Sequence, residues 1–453
     1  MDSKSLLFLI ITTLYFQYSG QNEEDSQISS TIIPTTIAEN YNLETTNTTD
    51  NSIPKAINNF GYNLLVKMMN EKKNENIVIS PIGVAGLLAM TLLGSVGMTH
   101  DEIAETLGFS QDILRNRKNH EQFGELLQSL NMNEFSKTLY ADAIFVDNQV
   151  ELRELYRSYL HGVYGGDVLR TDFQETEGSK NSINEWVSKH TEGNIDDFLK
   201  DSLPPHTKVV LLTALYFSGT WKQPFAPQFT RKMEFKRATD EVMADMMLNF
   251  GEFRYKVSEE YDFHMIALPY NDSETFMYAL KPLSHKRLTL LELMENINNK
   301  VIDDTINEMH VKNCVIRFPK MKIKSTTKLE STLQSIGIQS MFIPGQANFA
   351  LMVNNTNQFV NKSEGESDRY SENEGNGTNI LDSLPNPGIH VDSIIHDVKL
   401  TINEFGTEAV AATSGTLTRS AENFYADSPF YFFIRNERTK LVTFSAVIFD
   451  PTK

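Results

Sequence analysis

The sequence predicts an α+β fold, and three observations carry that prediction. Helical spacing appears early: Phe123, Leu126, Leu127 and Leu130 fall at i, i+3, i+4 and i+7, and Ile183, Trp186, Val187 and His190 repeat it. Strand-like runs rich in β-branched and aromatic residues follow, ending with Phe430 to Ile434 and Leu441 to Phe449. Helices dominate the first third and strands the remainder, which does not fit alternating βαβ units.

In chain order, the apolar run Leu6 to Phe16 follows Lys4 and is too short to span a bilayer, so residues 1–20 read as a signal peptide. Residues 21–55 are rich in Thr, Asn, Ser and acids without apolar periodicity, which predicts a disordered tail. The folded body begins near Pro54. Thr99 and Glu102 have capping-box spacing ahead of Ile103 and Leu107, which predicts a helix start. Leu139 to Val146, Val209 to Phe217 and Met265 to Leu268 read as strands. Thr275 to Leu280 pairs with the last of these across the turn Asn271 to Glu274. Cys314 lies in the strand-like run Val311 to Phe318 and reads as a buried structural thiol. As the single cysteine of the chain it allows no intrachain disulfide. Residues 354–387 turn polar and acidic and predict a solvated insertion. Asn47, Asn271, Asn354, Asn361 and Asn376 begin Asn-x-Ser/Thr triplets, candidate glycosylation sites on a secreted chain.

The chain has 453 residues, 41 basic against 59 acidic, for a formal charge of −18. That balance argues against broad binding to nucleic acid or anionic membrane, which needs a basic face. The ten histidines are scattered, without HExxH or paired-cysteine spacing, so no metal site is expected. No nucleophile elbow, phosphate loop or dinucleotide fingerprint occurs, which leaves an enzyme reading without support.

Two C-terminal segments carry a resemblance. INEFGTEAVAATS, from Ile402 to Ser414, resembles the reactive-loop hinge of the serpin family, and SPFYFFIRNERTKLVTFSAVIFDP, from Ser428 to Pro451, resembles its C-terminal signature. NIVISPIGVAGLLAMTLLGSVGMTHDEI, INEWVSKHTEGNI, LLTALYFSGTWKQPF and FPKMKIKSTTKLESTLQSIGI match in family order, so the resemblance spans residues 56–453. It implies about nine helices, three β-sheets and an exposed reactive loop, here residues 404–428. It also implies a mechanism without a cofactor: a protease is acylated by the loop, and the cleaved loop inserts into the central sheet and distorts the protease. The implied protein is a secreted, monomeric protease inhibitor and not an enzyme. The alternative is a non-inhibitory member serving as a carrier, storage protein or signalling ligand.

Insertion sets a test, because alternate residues of a strand enter the core. The inward set is Thr407, Ala409, Ala411, Thr413, Gly415 and Leu417, all small or apolar. The outward set, Glu408, Val410, Ala412, Ser414 and Thr416, holds the one charge. A charge on the inward side would cost several kcal/mol unless paired. Arg419 is the only basic residue between Asn403 and Arg435, which points to Arg419-Ser420 as the scissile bond of a trypsin-like protease. A longer family spacing from Glu404 puts the cut after Ser420, which would suit an elastase-like enzyme.

The resemblance also implies a gate. Trp221 lies beneath the opening of the sheet, Glu404 and Lys320 pair there, Gly406 belongs to the hinge, and Ser80 and His396 match mid-sheet "shutter" positions where a histidine hydrogen bond ties neighbouring strands. Gly83 stands where the family often has serine and Thr213 where it usually has asparagine, so weaker closure of the sheet is expected.

Overall fold

A computed structural model describes residues 52–130, 136–354, 381, 384–406 and 421–453. Its strands in chain order are β1 (Ile77–Ile79), β2 (Ser136–Asp147), β3 (Asp167–Thr171), β4 (Val209–Gly219), β5 (Arg231–Lys236), β6 (Glu241–Ser258) and β7 (Phe263–Pro269). There follow β8 (Thr275–Pro282), β9 (His310–Pro319), β10 (Met321–Lys328), β11 (Ser393–Ile402), β12 (Glu422–Tyr425), β13 (Phe430–Asn436) and β14 (Val442–Ile448). Nine α-helices accompany them among the described residues. The expected periodicities fall within the helices Arg117–Ser129 and Thr176–His190, with Leu130 just past the end of the first. β7 and β8 form the expected antiparallel hairpin.

The strands make two hydrogen-bonded sheets, one of five strands ordered β10-β11-β4-β2-β3 and one of nine. The resemblance implied three sheets. Two of them are joined here because the 18-residue β6 pairs with β5 and β9 along its first part and with β7 at its end. In the five-stranded sheet, β4 and β11 are direct parallel neighbours from Val210/Ser393 to Phe217/Leu400. We call that junction the seam.

The helix Pro81–Gly94 is buried along its whole length beneath the five-stranded sheet. It is apolar on every face, as a helix enclosed on all sides must be. Ser80 caps it by accepting from the Gly83 N–H, and Pro81 occupies the first turn, where its missing N–H costs nothing.

The capping box expected at Thr99 and Glu102 does not form. The helix Gly97–Leu107 starts earlier, with Val96 at its N-cap and no side-chain cap. Thr99 Oγ1 instead accepts from the Asn348 N–H, and Glu102 Oε2 accepts from the Gln339 and Ser340 N–H groups. The same residue types thus satisfy backbone donors of a distant segment. Within the insertion, Leu381 is buried in a small cluster with Val96, Ala350 and Leu351. Residues 355–380, 382 and 383 lie outside the described residues, as do 1–51 and hence the expected signal peptide and tail. No helix of the described residues is long and apolar enough to cross a membrane.

Candidate functional site

β11 ends in a two-residue turn at the top of the seam. Asn403 and Gly406 exchange both backbone hydrogen bonds, at 3.1 and 3.2 Å, with Glu404 and Phe405 between them. The Asn403 side chain fixes the turn by accepting from the Phe405 N–H at 2.9 Å. Gly406 also bridges Thr220, just beyond β4, so it sits between the ends of both seam strands. Its φ is +109°, and a Cβ there would lie 2.0 Å from the Gly219 carbonyl oxygen. Only glycine fits that conformation and that approach.

Trp221 is buried under this turn. Its indole N–H donates to the Asn403 carbonyl at 3.0 Å, and its ring stacks on Tyr270 at 4.4 Å. Glu404 points the other way and is buried, meeting half-exposed Lys320 at 2.9 Å and accepting from the Thr230 hydroxyl at 2.8 Å. Burial pushes the Glu404 carboxyl up. Hydrogen bonds from Lys320, its own backbone and Thr230 outweigh that and hold it below the usual range.

Midway down the seam lies the second cluster. The Ser80 N–H donates to His396 Nε2 at 2.9 Å, and the Ser80 hydroxyl donates to the Thr443 carbonyl at 2.7 Å. The histidine therefore ties β11 to the start of the buried helix, and on its other side it faces the Thr213 backbone of the neighbouring strand β4. The helix end supplies an N–H with no partner inside the helix, and His396 satisfies it. Burial lowers the His396 pKa to about 3, so the ring is neutral with its proton on Nδ1. Nδ1 makes no well-formed hydrogen bond among the described residues, and the Thr213 backbone of β4 acts on the ring as a weak partner that offsets part of the effect of burial.

Thr213 is directly across from His396 on β4, and Asp142 is directly across from Thr213 on β2. The three form a row over three strands. Thr213 Oγ1 and both Asp142 oxygens also lack partners among the described residues. Burial raises the Asp142 carboxyl to about 7, against the pull of the Thr213 hydroxyl. A side chain at position 83 would require the Leu215 and Thr213 side chains to shift. A Cβ on Gly83 would come within 2.5 Å of Leu215 Cδ1 and 2.8 Å of Thr213 Oγ1.

The structure thus brings Trp221, Glu404, Lys320 and Gly406 together at the top of the seam, and Ser80 and His396 at its middle. Thr407, Glu408, Ala409, Ala411, Ala412, Arg419 and Ser420 lie outside the described residues, as do Asn47, Asn361 and Asn376. Asn271 is exposed in the β7–β8 turn, and the Asn354 amide donates to Glu151 at 3.2 Å. Residues 422–425 of the expected loop form β12, parallel to β9. Cys314 is buried, its thiol pushed up to about 11 by that burial. No group of His, Cys, Asp and Glu able to hold a metal occurs among the described residues.

Sequence reasoning missed Asn403, Thr230, Tyr270 and Asp142. Asp142 had a signal, being a carboxylate inside an apolar strand run. Asn403 had one as well, in the spacing of Asn and Gly around a two-residue turn. Thr230 and Tyr270 had none.

This two-sheet fold with a hinge at the head of a closed seam has known counterparts. Residues 55–451 match the family described as Serpin (serine protease inhibitor), and the chain belongs to that family. It is 26% identical over 446 residues to serine protease inhibitor 28Dc of Drosophila melanogaster, covering 89% of this chain and 80% of that protein. It is 28% identical over 423 residues to human antithrombin-III, covering 90% and 84%. Among solved structures, native protease nexin-1 with heparin matches with a TM-score of 0.73 and 26% identity, covering 88% of this chain and all of that one. Thyroxine-binding globulin complexed with thyroxine matches in fold, with a TM-score of 0.74 at 22% identity.

Proposed function

We propose that this chain is an extracellular inhibitor that acts as a suicide substrate on a trypsin-like serine protease. The protease serine attacks the Arg419 carbonyl, the Arg419-Ser420 bond breaks, and the chain from Ser420 leaves with a new amino terminus. The freed hinge then inserts between β4 and β11 as an added strand before water can release the acyl-enzyme.

The observation that carries this reading is the pair of bridges at Gly406. Continuing the Asn403–Gly406 pairing opposes Ala409 to Leu400, Ala411 to Val398 and Thr413 to His396. Continuing the Thr220–Gly406 pairing opposes the same three residues to Phe217, Leu215 and Thr213. Those partners are already in register with each other across the closed seam, as Leu400↔Phe217, Val398↔Leu215 and His396↔Thr213. Insertion in this register needs the seam to widen sideways and needs no slide along the strands. Residues directly opposite share a face, and Val398, Leu400 and Ile402 face the core. The small residues of the hinge would therefore be the ones buried, and Glu408 would face outward. About a dozen new ladder bonds at ~1 kcal/mol each would supply on the order of 10 kcal/mol.

Incubation with trypsin tests the reading. A complex that survives boiling in detergent, with a released peptide beginning at Ser420, is expected. Cleavage without such a complex rejects trapping, and a peptide beginning at Ala421 moves the bond to Ser420-Ala421.

A further inference from the structure

The top of the seam has a third neighbour, the turn between β7 and β8. The Asn271 N–H donates to the Thr220 carbonyl at 2.8 Å, and Thr220 bridges Gly406 on its other side. Gly406, Thr220 and Asn271 therefore stand in one row across three chain segments. With about 4.8 Å between paired strands, Asn271 lies roughly 10 Å from the hinge glycine.

The turn is built without the Asn271 side chain. Asp272 Oδ1 accepts from the Glu274 and Thr275 N–H groups at 3.0 and 2.7 Å, and the Ser273 N–H donates to the Tyr270 carbonyl at 3.2 Å. Asn271 is exposed, and its side-chain amide makes no hydrogen bond among the described residues. Ser273, the third residue of the triplet, is exposed too, its hydroxyl accepting from Lys222 Nζ at 3.3 Å. The other triplet asparagine among the described residues, Asn354, has its amide committed to Glu151. At Asn271 the fold loses no hydrogen bond when the amide is modified.

We propose that Asn271 carries an N-linked glycan and that this glycan shields the top of the seam from strands of other molecules. This rests on the reading that the sheet opens to accept a strand. The donor is an oligosaccharide linked to a lipid diphosphate. A bond forms between Asn271 Nδ2 and the anomeric carbon of the first sugar, the bond from that carbon to the diphosphate oxygen breaks, the lipid diphosphate leaves, and Nδ2 gives up one proton. An N-glycan is bulky and hydrated. From this row it occupies the solvent through which a foreign strand must approach the ends of β4 and β11. The chain's own hinge makes no such approach, because Gly406 is already bridged to Asn403 and Thr220. The glycan thus separates two events that share one opening, insertion of the chain's own loop and capture of a strand from another molecule.

The test uses protein secreted from insect cells. Mass spectrometry of the peptide that contains Asn271 should show the glycan, and an unmodified Asn271 overturns the proposal. Asn271→Gln and Ser273→Gly remove the triplet at different residues, the second suiting the φ of +63° at that position. Uptake of a synthetic peptide with the sequence of residues 407–420 by the uncleaved proteins is then followed as a band shift on native gels. Both variants should take up peptide severalfold faster than wild type. Equal rates overturn the shield while leaving strand insertion in place. A gain in one variant alone belongs to that residue and not to the glycan, and overturns the shield as well. Refusal of peptide by every protein, with circular dichroism showing each folded, removes sheet opening and the shield with it. Trypsin trapping is measured separately, so its failure alone leaves the shield standing.

Discussion

The top and the middle of the seam satisfy their polar groups very differently. At the top, Trp221, Asn403, Glu404, Thr230 and Lys320 are joined by hydrogen bonds and an ion pair. At the middle, His396 Nδ1, Thr213 Oγ1 and both oxygens of Asp142 lie buried without a well-formed hydrogen bond among the described residues. The first is a finished joint that holds the start of a hairpin. The second is a closed surface under stress. In the proposed mechanism this division would be useful. The turn would keep its register while the strands below it part, so order would belong at the turn and weak hydrogen bonding along the seam.

The largest expected effect comes from breaking the finished end. Trp221→Ala removes an indole stacked on Tyr270 and the donor that holds the Asn403 carbonyl. It should destabilise the protein by about 3–5 kcal/mol, the range for losing a buried large aromatic. Urea unfolding measures it, and a loss below about 1 kcal/mol would show that the indole is not a support of the turn.

The stressed end is read best by pH. Asp142 titrates near 7 in the fold, well above an ordinary aspartate, so between about pH 4 and pH 7 the native protein binds this proton more tightly than the unfolded chain does. Its contribution is therefore fully present in acid and is lost as pH rises through that window. The helix packed on it, Pro81–Gly94, carries no ionisable side chain, and the Thr213 hydroxyl is the nearest moderating group. Asp142→Asn should remove from the stability profile a fall on the order of 2–4 kcal/mol between pH 5 and pH 8. Parallel profiles for the two proteins would place the charge elsewhere.

The same contrast sets how much could be read from the residues. The helical periods at Phe123 and Ile183 and the final strand pair were legible, because burial of one face imposes spacing on the sequence. The helix start at Gly97 was not, because Thr99 and Glu102 serve a distant segment and local spacing cannot report that. At the site, Trp221, Lys320, Glu404, Ser80 and His396 could be named through the family resemblance. Their geometry could not, including the hydrogen bond that the Ser80 N–H gives to His396 at the start of the buried helix. The register proposed for insertion was equally hidden, since it rests on two bridges at Gly406 that arise only once β4 and β11 lie side by side.

The smallest expected effect asks whether the stressed end can be relieved. Thr213 offers one hydroxyl between Asp142 and His396, and it makes no well-formed hydrogen bond among the described residues. An asparagine amide there would bring both a donor and an acceptor into a row that holds an unpaired carboxyl and an unpaired ring nitrogen. Each hydrogen bond so formed is worth about 1 kcal/mol net. The tight contact between Thr213 Oγ1 and the space above Gly83 limits how far a longer side chain can turn, so one bond is the realistic gain. Thr213→Asn should raise the thermal unfolding temperature by a few degrees and slow heat-induced polymerisation. If both stay unchanged, the missing hydrogen bonds at this position do not govern closure of the seam, and the buried Asp142 carboxyl is the next group to test.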